Sequence, residues 1–162
     1  MTVTTLCLSP TKASAMHEVR QIEVVAGSGI VEDHNFSAKQ RYPGQNLTLI
    51  EAEEVEAFNA RVGKNLVATD PRRNIITRGV RLNDLVGKKF VIGTATLRGV
   101  ELCEPCGKLA GYLAGPDMRK ADFIREFAHR SGLRADVVES GTIRVGDRVT
   151  LDGTQQTAQA RP

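Results

Sequence analysis

Phe90-Val91-Ile92-Gly93-Thr94-Ala95-Thr96-Leu97 reads as two short apolar strands folded back on each other across a Gly-Thr turn. So short a connection joins antiparallel neighbours, so the sequence predicts a hairpin here. On the C-terminal side, Gly99 leads into Val100-Glu101-Leu102. Val137-Val138, Thr142 to Val145 and Val149 to Leu151 then supply closing strands, with Gly141 and Gly146-Asp147 as turns. On the N-terminal side, Val3 to Leu8, Val19 to Val25, Leu47 to Ile50 and Asn74 to Thr77 carry the β-branched and aliphatic residues of further strands. Glu32 to Gln45 lacks periodicity and reads as a surface loop.

Two segments have helical spacing instead. Glu51, Glu53 and Glu54 place negative charge at a helix start, Val55, Phe58 and Val62 share one face, and Gly63 is placed to end the helix with positive φ. Ala121, Ile124, Phe127 and Ala128 predict a second amphipathic helix over Asp117 to Arg130, with Phe123 widening its apolar face. Many short strands with about two covering helices favour a mostly β, closed or partly closed barrel over a doubly wound sheet.

The chain has 162 residues, 41% of them hydrophobic, which suits one domain over residues 1–152 followed by a Gln-, Thr- and Ala-rich disordered tail over 153–162. A net charge of +3, 4% aromatic content and no Trp leave few stacking platforms for bases, so nucleic acid is not an expected partner. No stretch approaches the roughly 20 apolar residues of a spanning helix, and Met1 to Pro10 lacks the pattern of a secretory signal. The expectation is a cytoplasmic protein with no membrane association. Three cysteines, an odd number, argue against a disulfide scaffold. Cys7 lies in an alternating apolar segment and reads as core.

Leu102-Cys103-Glu104-Pro105-Cys106 is the segment that carries chemistry. Thiols three positions apart serve zinc, a dithiol redox couple or a single nucleophile, and spacing does not choose among these. Tetrahedral zinc needs about four ligands, yet there is no second cysteine pair and His17, His34 and His129 lack ligand spacing. A redox couple belongs at the start of a helix, whereas the flanking strands are hairpin-like. Cys103 reads either as packing beside Cys106 or as its resolving thiol. Pro105 fixes its own φ and pushes Glu104 toward extended geometry. Lys108 reads as a solvated lysine or as a cation near the thiol. Arg72, Arg73 and Arg78 form the one dense basic stretch, suited either to an anionic ligand or to a charged strand edge.

Ordered blocks extend beyond these segments. They are Gln45 to Ile50, Arg72-Arg73-Asn74-Ile75-Ile76, Leu85 to Ile92, Cys103 to Cys106, and Gly141-Thr142-Ile143-Arg144-Val145-Gly146-Asp147. In that order and spacing the chain resembles a stand-alone member of the MOSC family, the C-terminal domain of molybdenum-cofactor sulfurases. The Arg-x-Asn-Ile block and the closing Gly-Thr-Ile-x-Val-Gly-Asp block are the more specific ones.

The resemblance implies a molybdenum cofactor, molybdopterin, with Cys106 as metal ligand or as carrier of a persulfide. It further implies that Arg72 meets the anionic pterin phosphate or an oxo group, and that Asn74 shapes the pocket. Arg73 departs from the proline that often follows the arginine in the family's reductases. The chain has no room for the pyridoxal-phosphate domain of the large sulfurases, so desulfurase activity is not expected. It also lacks room for the N-terminal β-barrel of the reductases, so the rest of a cofactor pocket comes from another chain, from a homodimer mate, or stays open to solvent. Three roles follow from the resemblance: a sulfur carrier served by a cysteine desulfurase, a molybdenum-dependent reductase of N-oxygenated small substrates fed by an electron-transfer partner, or a non-catalytic cofactor-binding adaptor.

Overall fold

In the computed structural model, residues 1–12 and 14–152 are described. The strands run in chain order as β1 (Thr2–Leu8), β2 (His17–Val19), β3 (Gln21–Val25), β4 (Gly29–Ile30), β5 (Leu47–Glu51), β6 (Ile75–Arg78), β7 (Lys89–Ile92), β8 (Ala95–Leu102), β9 (Leu133–Glu139), β10 (Gly141–Arg144) and β11 (Val149–Leu151). Helix α1 (Ala52–Val62) lies between β5 and β6, while α2 (Gly107–Leu113) and α3 (Lys120–Phe127) lie between β8 and β9. A tight 3-10 helix covers Leu82–Leu85.

The main sheet has eight strands in the order β11-β7-β8-β9-β5-β6-β1-β2, and β10-β3-β4 form a second sheet. The predicted hairpin is β7–β8, antiparallel with Ile92 opposite Ala95 and Phe90 opposite Leu97. Gly93 makes its turn at φ 60°, where an added Cβ would lie 2.3 Å from the Thr142 carbonyl oxygen. Of the closed or partly closed barrel expected from the sequence, the mostly β character is present but a closed, continuous ladder is not. Instead the main sheet is open in its strand order, and its two ends meet through an isolated Thr2–Arg148 bridge, with Val3 N–H donating to Asp147 O at 2.9 Å, Gly146 N–H to Val3 O at 2.8 Å and Val149 N–H to Met1 O at 3.1 Å. The architecture is therefore mixed, mostly β with three α-helices.

One pairing departs from hairpin logic. β5 and β6 are parallel, joined through α1, with Leu49 opposite Ile75. Successive side chains in these strands point to opposite faces, so Leu6, Leu49 and Ile75 enter one core while Cys7, Ile50 and Ile76 enter another. The first core is lined by both sheets and includes Phe90, Leu97 and Val137. The second is covered by the helices, where Phe58 meets Phe123 edge-on at 5.1 Å and Phe127 at 4.7 Å between ring centres. Burial on both faces fits the adjacent apolar pairs Leu49-Ile50 and Ile75-Ile76 in these strands.

Gly63 ends α1 with φ 69°, its N–H donating to Asn59 O at 2.9 Å, as the sequence predicts. Other elements differ. The single strand expected over Val19 to Val25 is divided at Arg20, because β2 pairs with β1 in the main sheet and β3 pairs with β10 in the second. The helix expected over Asp117 to Arg130 is shorter, since Ala128 has extended ψ and His129 turns to φ 62°. Helix α2 has no sequence counterpart. Gly107 and Gly111 weaken its propensity, and burial of Leu109 and Ala110 supplies what propensity lacks. The expected tail, 153–162, lies outside the described residues.

Candidate functional site

A cavity of about 370 Å³ opens where α2, the segment before β6 and the loop before β5 meet, and its lining includes Arg72, Arg73, Asn74, Cys103 and Cys106. Its size lies in the range of roughly 300–1,000 Å³ typical of small-ligand sites. Lys12, Lys108 and Arg134 also line it, so five cationic side chains and no carboxylate face the space. Arg72 and Asn74 belong to one sequence block and Cys106 to another. The fold brings them to one cavity.

The two adjacent arginines divide the work. Arg73 is buried, donating from Nε to Ser131 O at 2.9 Å, from Nη1 to Pro71 O at 2.9 Å, and from Nη2 to Ser131 Oγ at 2.7 Å and Cys103 O at 3.3 Å. Burial lowers its guanidinium pKa, an effect opposed by charge on the Cys103 thiol. It thus ties the segment before β6 to the cysteine loop. Arg72 adopts φ 60°, a left-handed conformation rare for a residue with a side chain, and among the described residues its guanidinium has no hydrogen-bond or ion-pair partner. Of the two, Arg72 is the one whose guanidinium is not already engaged. Arg78, the third of the basic stretch, lies outside the cavity lining and pairs with Glu56 on the exposed surface.

Asn74 is buried with every side-chain group committed. Its Oδ1 accepts from Thr48 N–H at 3.0 Å and Thr48 Oγ1 at 3.1 Å, while Nδ2 donates to Cys7 O and to Asp33 Oδ2, each at 3.3 Å. Asp33 Oδ2 also accepts from Ser9 N–H at 3.0 Å. Asn74 therefore braces β1, β5 and the loop that starts at Val31, and shapes the cavity without a free polar group to offer it.

Cys106 is exposed and sits immediately before α2 in extended conformation, with its carbonyl accepting from Ala110 N–H at 2.9 Å. The loop behind it is fixed at three points. Cys103 N–H donates to Gly132 O at 2.8 Å, Arg73 holds Cys103 O, and Glu104 accepts from His129 N–H at 2.8 Å and lies 2.7 Å from His129 Nδ1. Cys103 is buried at the cavity wall and Cys7 is buried in the helix-side core. The core reading of Cys7 agrees with this: burial, with Glu18 nearby, pushes its thiol up to about 11. Among the described residues no group of three or more His, Cys, Asp or Glu converges as a metal site.

A thiol-reagent assay separates the three cysteines. At pH 8 only about a thousandth of Cys7 is thiolate. The native protein is expected to show one fast-reacting thiol, Cys106, and all three after denaturation; fast reaction of a second thiol would show that the Cys103 loop opens.

Lys12, Arg134, Tyr42 and Tyr112 were not singled out from sequence. Each lies in a segment with no motif of its own, and Tyr112 belongs to the helix that propensity did not reveal. Lys108 stands at the cavity wall, four positions before Tyr112 on the same face of α2. No helix among the described residues is long and apolar enough to cross a membrane.

No curated protein matches the chain in sequence. Solved structures are similar in fold at low identity. The YuaD protein of Bacillus subtilis aligns with a TM-score of 0.78 at 18% identity, over 92% of this chain and 94% of its own. YiiM from Geobacillus stearothermophilus aligns with a TM-score of 0.64 at 19% identity, over 93% and 72%, and YiiM from Escherichia coli with 0.69 at 16%, over 94% and 70%. A model of the MOSC domain matches residues 33–150, which span the cavity walls from the Asp33 loop through Arg72, Asn74 and Cys106, and so this chain belongs to the MOSC domain family.

Proposed function

We propose that this protein binds the molybdenum cofactor, with Cys106 as the protein ligand to the metal and Arg72 on the pterin phosphate. The observation that carries this reading is the union, in one cavity, of a single exposed thiol with five cationic side chains and no carboxylate. The donor set fits the group. A soft thiolate suits a high-valent molybdenum centre, and a guanidinium fork suits phosphate oxygens. When bound, the cofactor supplies a redox-active metal for atom transfer. The chain's own residues do the holding: Arg73 and Gly132 fix the cysteine loop, Asn74 fixes the wall, and Arg72, Lys12, Lys108 and Arg134 attract the anion. Under this reading, reductase turnover on N-oxygenated substrates draws electrons from a separate protein, and a second copy or another chain covers the cavity mouth.

Metal analysis, pterin fluorescence and intact mass of freshly purified protein test the reading together. Near-equimolar molybdenum and pterin support it. One added sulfur atom on Cys106 without molybdenum shifts the function to sulfur carriage, served by a cysteine desulfurase. Protein free of molybdenum, pterin and added sulfur overturns both readings.

Arg72→Ala is expected to weaken binding of the anionic cofactor by about 1.5–3 kcal/mol, the range for a hydrogen bond to a charged group. Arg78→Ala is expected to leave it unchanged, because Arg78 is engaged by Glu56 outside the cavity. Equal, salt-sensitive losses at both positions in a calorimetric titration would indicate a diffuse basic surface.

A further inference from the structure

The chain has two tyrosines and five phenylalanines. Four of the phenylalanines are fully buried, yet both tyrosines, Tyr42 and Tyr112, are 50% and 62% exposed and both line the cavity. Scattered exposed aromatics need no explanation. Two from distant segments meeting at one cavity do. Tyr112 stands on α2, the helix that Cys106 precedes, and Tyr42 stands on the loop before β5. That loop is anchored. Gln40 Nε2 donates to Tyr42 O at 2.9 Å and to Asp136 Oδ1 at 2.8 Å, Gly44 N–H donates to the same oxygen at 2.8 Å, and Arg41 N–H donates to Gln45 Oε1 at 2.7 Å. Neither phenol has a hydrogen-bond partner among the described residues, so both rings are held at the cavity by backbone anchoring and not by a polar tether.

We propose that Tyr42 and Tyr112 bind the ring of a phosphorylated, fused-ring heteroaromatic, leaving the cavity's cations to bind its phosphate. The proposal rests on the cofactor reading above and assigns the residues that recognise the pterin end. An aromatic face gains from offset stacking on a flat heterocycle, and the phenol can donate to ring nitrogens and carbonyls at its edge. With no carboxylate in the lining, the phosphate meets no like charge.

The test uses the full chain and three matched probes: hydroxymethylpterin diphosphate, hydroxymethylpterin, and inorganic pyrophosphate, each titrated calorimetrically. The chain has no Trp and only these two tyrosines, so tyrosine emission gives an independent signal from the cavity alone. Wild type is expected to bind the pterin diphosphate more tightly than pyrophosphate, and only the pterin probes should quench emission. Tyr42→Leu and Tyr112→Leu should each weaken pterin diphosphate binding about tenfold, as loss of a stacking ring does, while leaving pyrophosphate affinity unchanged. Tyr42→Phe and Tyr112→Phe should keep most of the affinity. The proposal is overturned if the pterin diphosphate binds no better than pyrophosphate, if the leucine variants lose nothing, if they lose pyrophosphate equally, or if the phenylalanine variants fall as far as the leucine ones. Arg72→Ala separates the two readings: full affinity for pyrophosphate in that variant rejects the anion site, whatever the tyrosines do.

Discussion

Cys106→Ser is expected to cut molybdenum retention by about 100-fold or more, beyond the roughly 10–100-fold that removal of an outer-shell partner costs. Serine is nearly isosteric, but its hydroxyl is a poor soft-metal donor and is far less acidic than a thiol. Because Cys106 is exposed and its side chain makes no hydrogen bond among the described residues, stability should hold. A surface change within about 0.5 kcal/mol moves the melting temperature of a chain this size by about 2 °C at most. Cys103→Ser should behave in the opposite way. Its buried hydroxyl costs on the order of 1–3 kcal/mol of stability if left unpaired, with a smaller effect on metal. Elemental analysis after desalting, beside thermal melts of both variants, reads the two effects separately. Equal loss of molybdenum in the two variants would replace the single-thiol assignment with a dithiol one.

Gly132→Ala is expected to be the more damaging change to the fold, although it adds one methyl group. Gly132 has φ 113°, and a Cβ built there would lie 2.1 Å from the Leu49 carbonyl oxygen on β5. A backbone outlier alone costs about 1–3 kcal/mol, and an overlap with backbone adds to it, because no flexible side-chain end can move aside. The expected loss is about 3 kcal/mol or more, which lowers the melting temperature by roughly 6–12 °C. The site should suffer with it, since Gly132 O receives Cys103 N–H and neighbouring Ser131 holds Arg73. Melting within about 2 °C of wild type would show that the turn before β9 can shift, and that the cysteine loop is not fixed through it.

Local chemistry in the chain was enough for the hairpin at Gly93, the end of α1 at Gly63 and the core placement of Cys7, and the family resemblance was enough to single out Arg72, Asn74 and Cys106, which line one cavity. Each depends on near neighbours: a turn glycine, a helical stripe, an alternating strand, or an ordered block that the family shares. Long-range pairing was not legible in the same way. The parallel β5–β6 ladder, the open seam between β1 and β11 and the change of sheet at Arg20 depend on partners far along the chain, to which a period-2 pattern is blind. Helix α2 was missed because two glycines hide it from propensity while packing of Leu109 and Ala110 sustains it. The same limit applied to the site. Two consecutive arginines have equal side chains and equal charge, and only the positive φ at Arg72 and the carbonyl cage around Arg73 decide that one faces the cavity while the other braces its wall. The sequence by itself determined the type and order of the residues that come to line the cavity, because these are local facts. The tertiary structure alone decided which of them are free to act, because a side chain is free only when no distant group has already satisfied it.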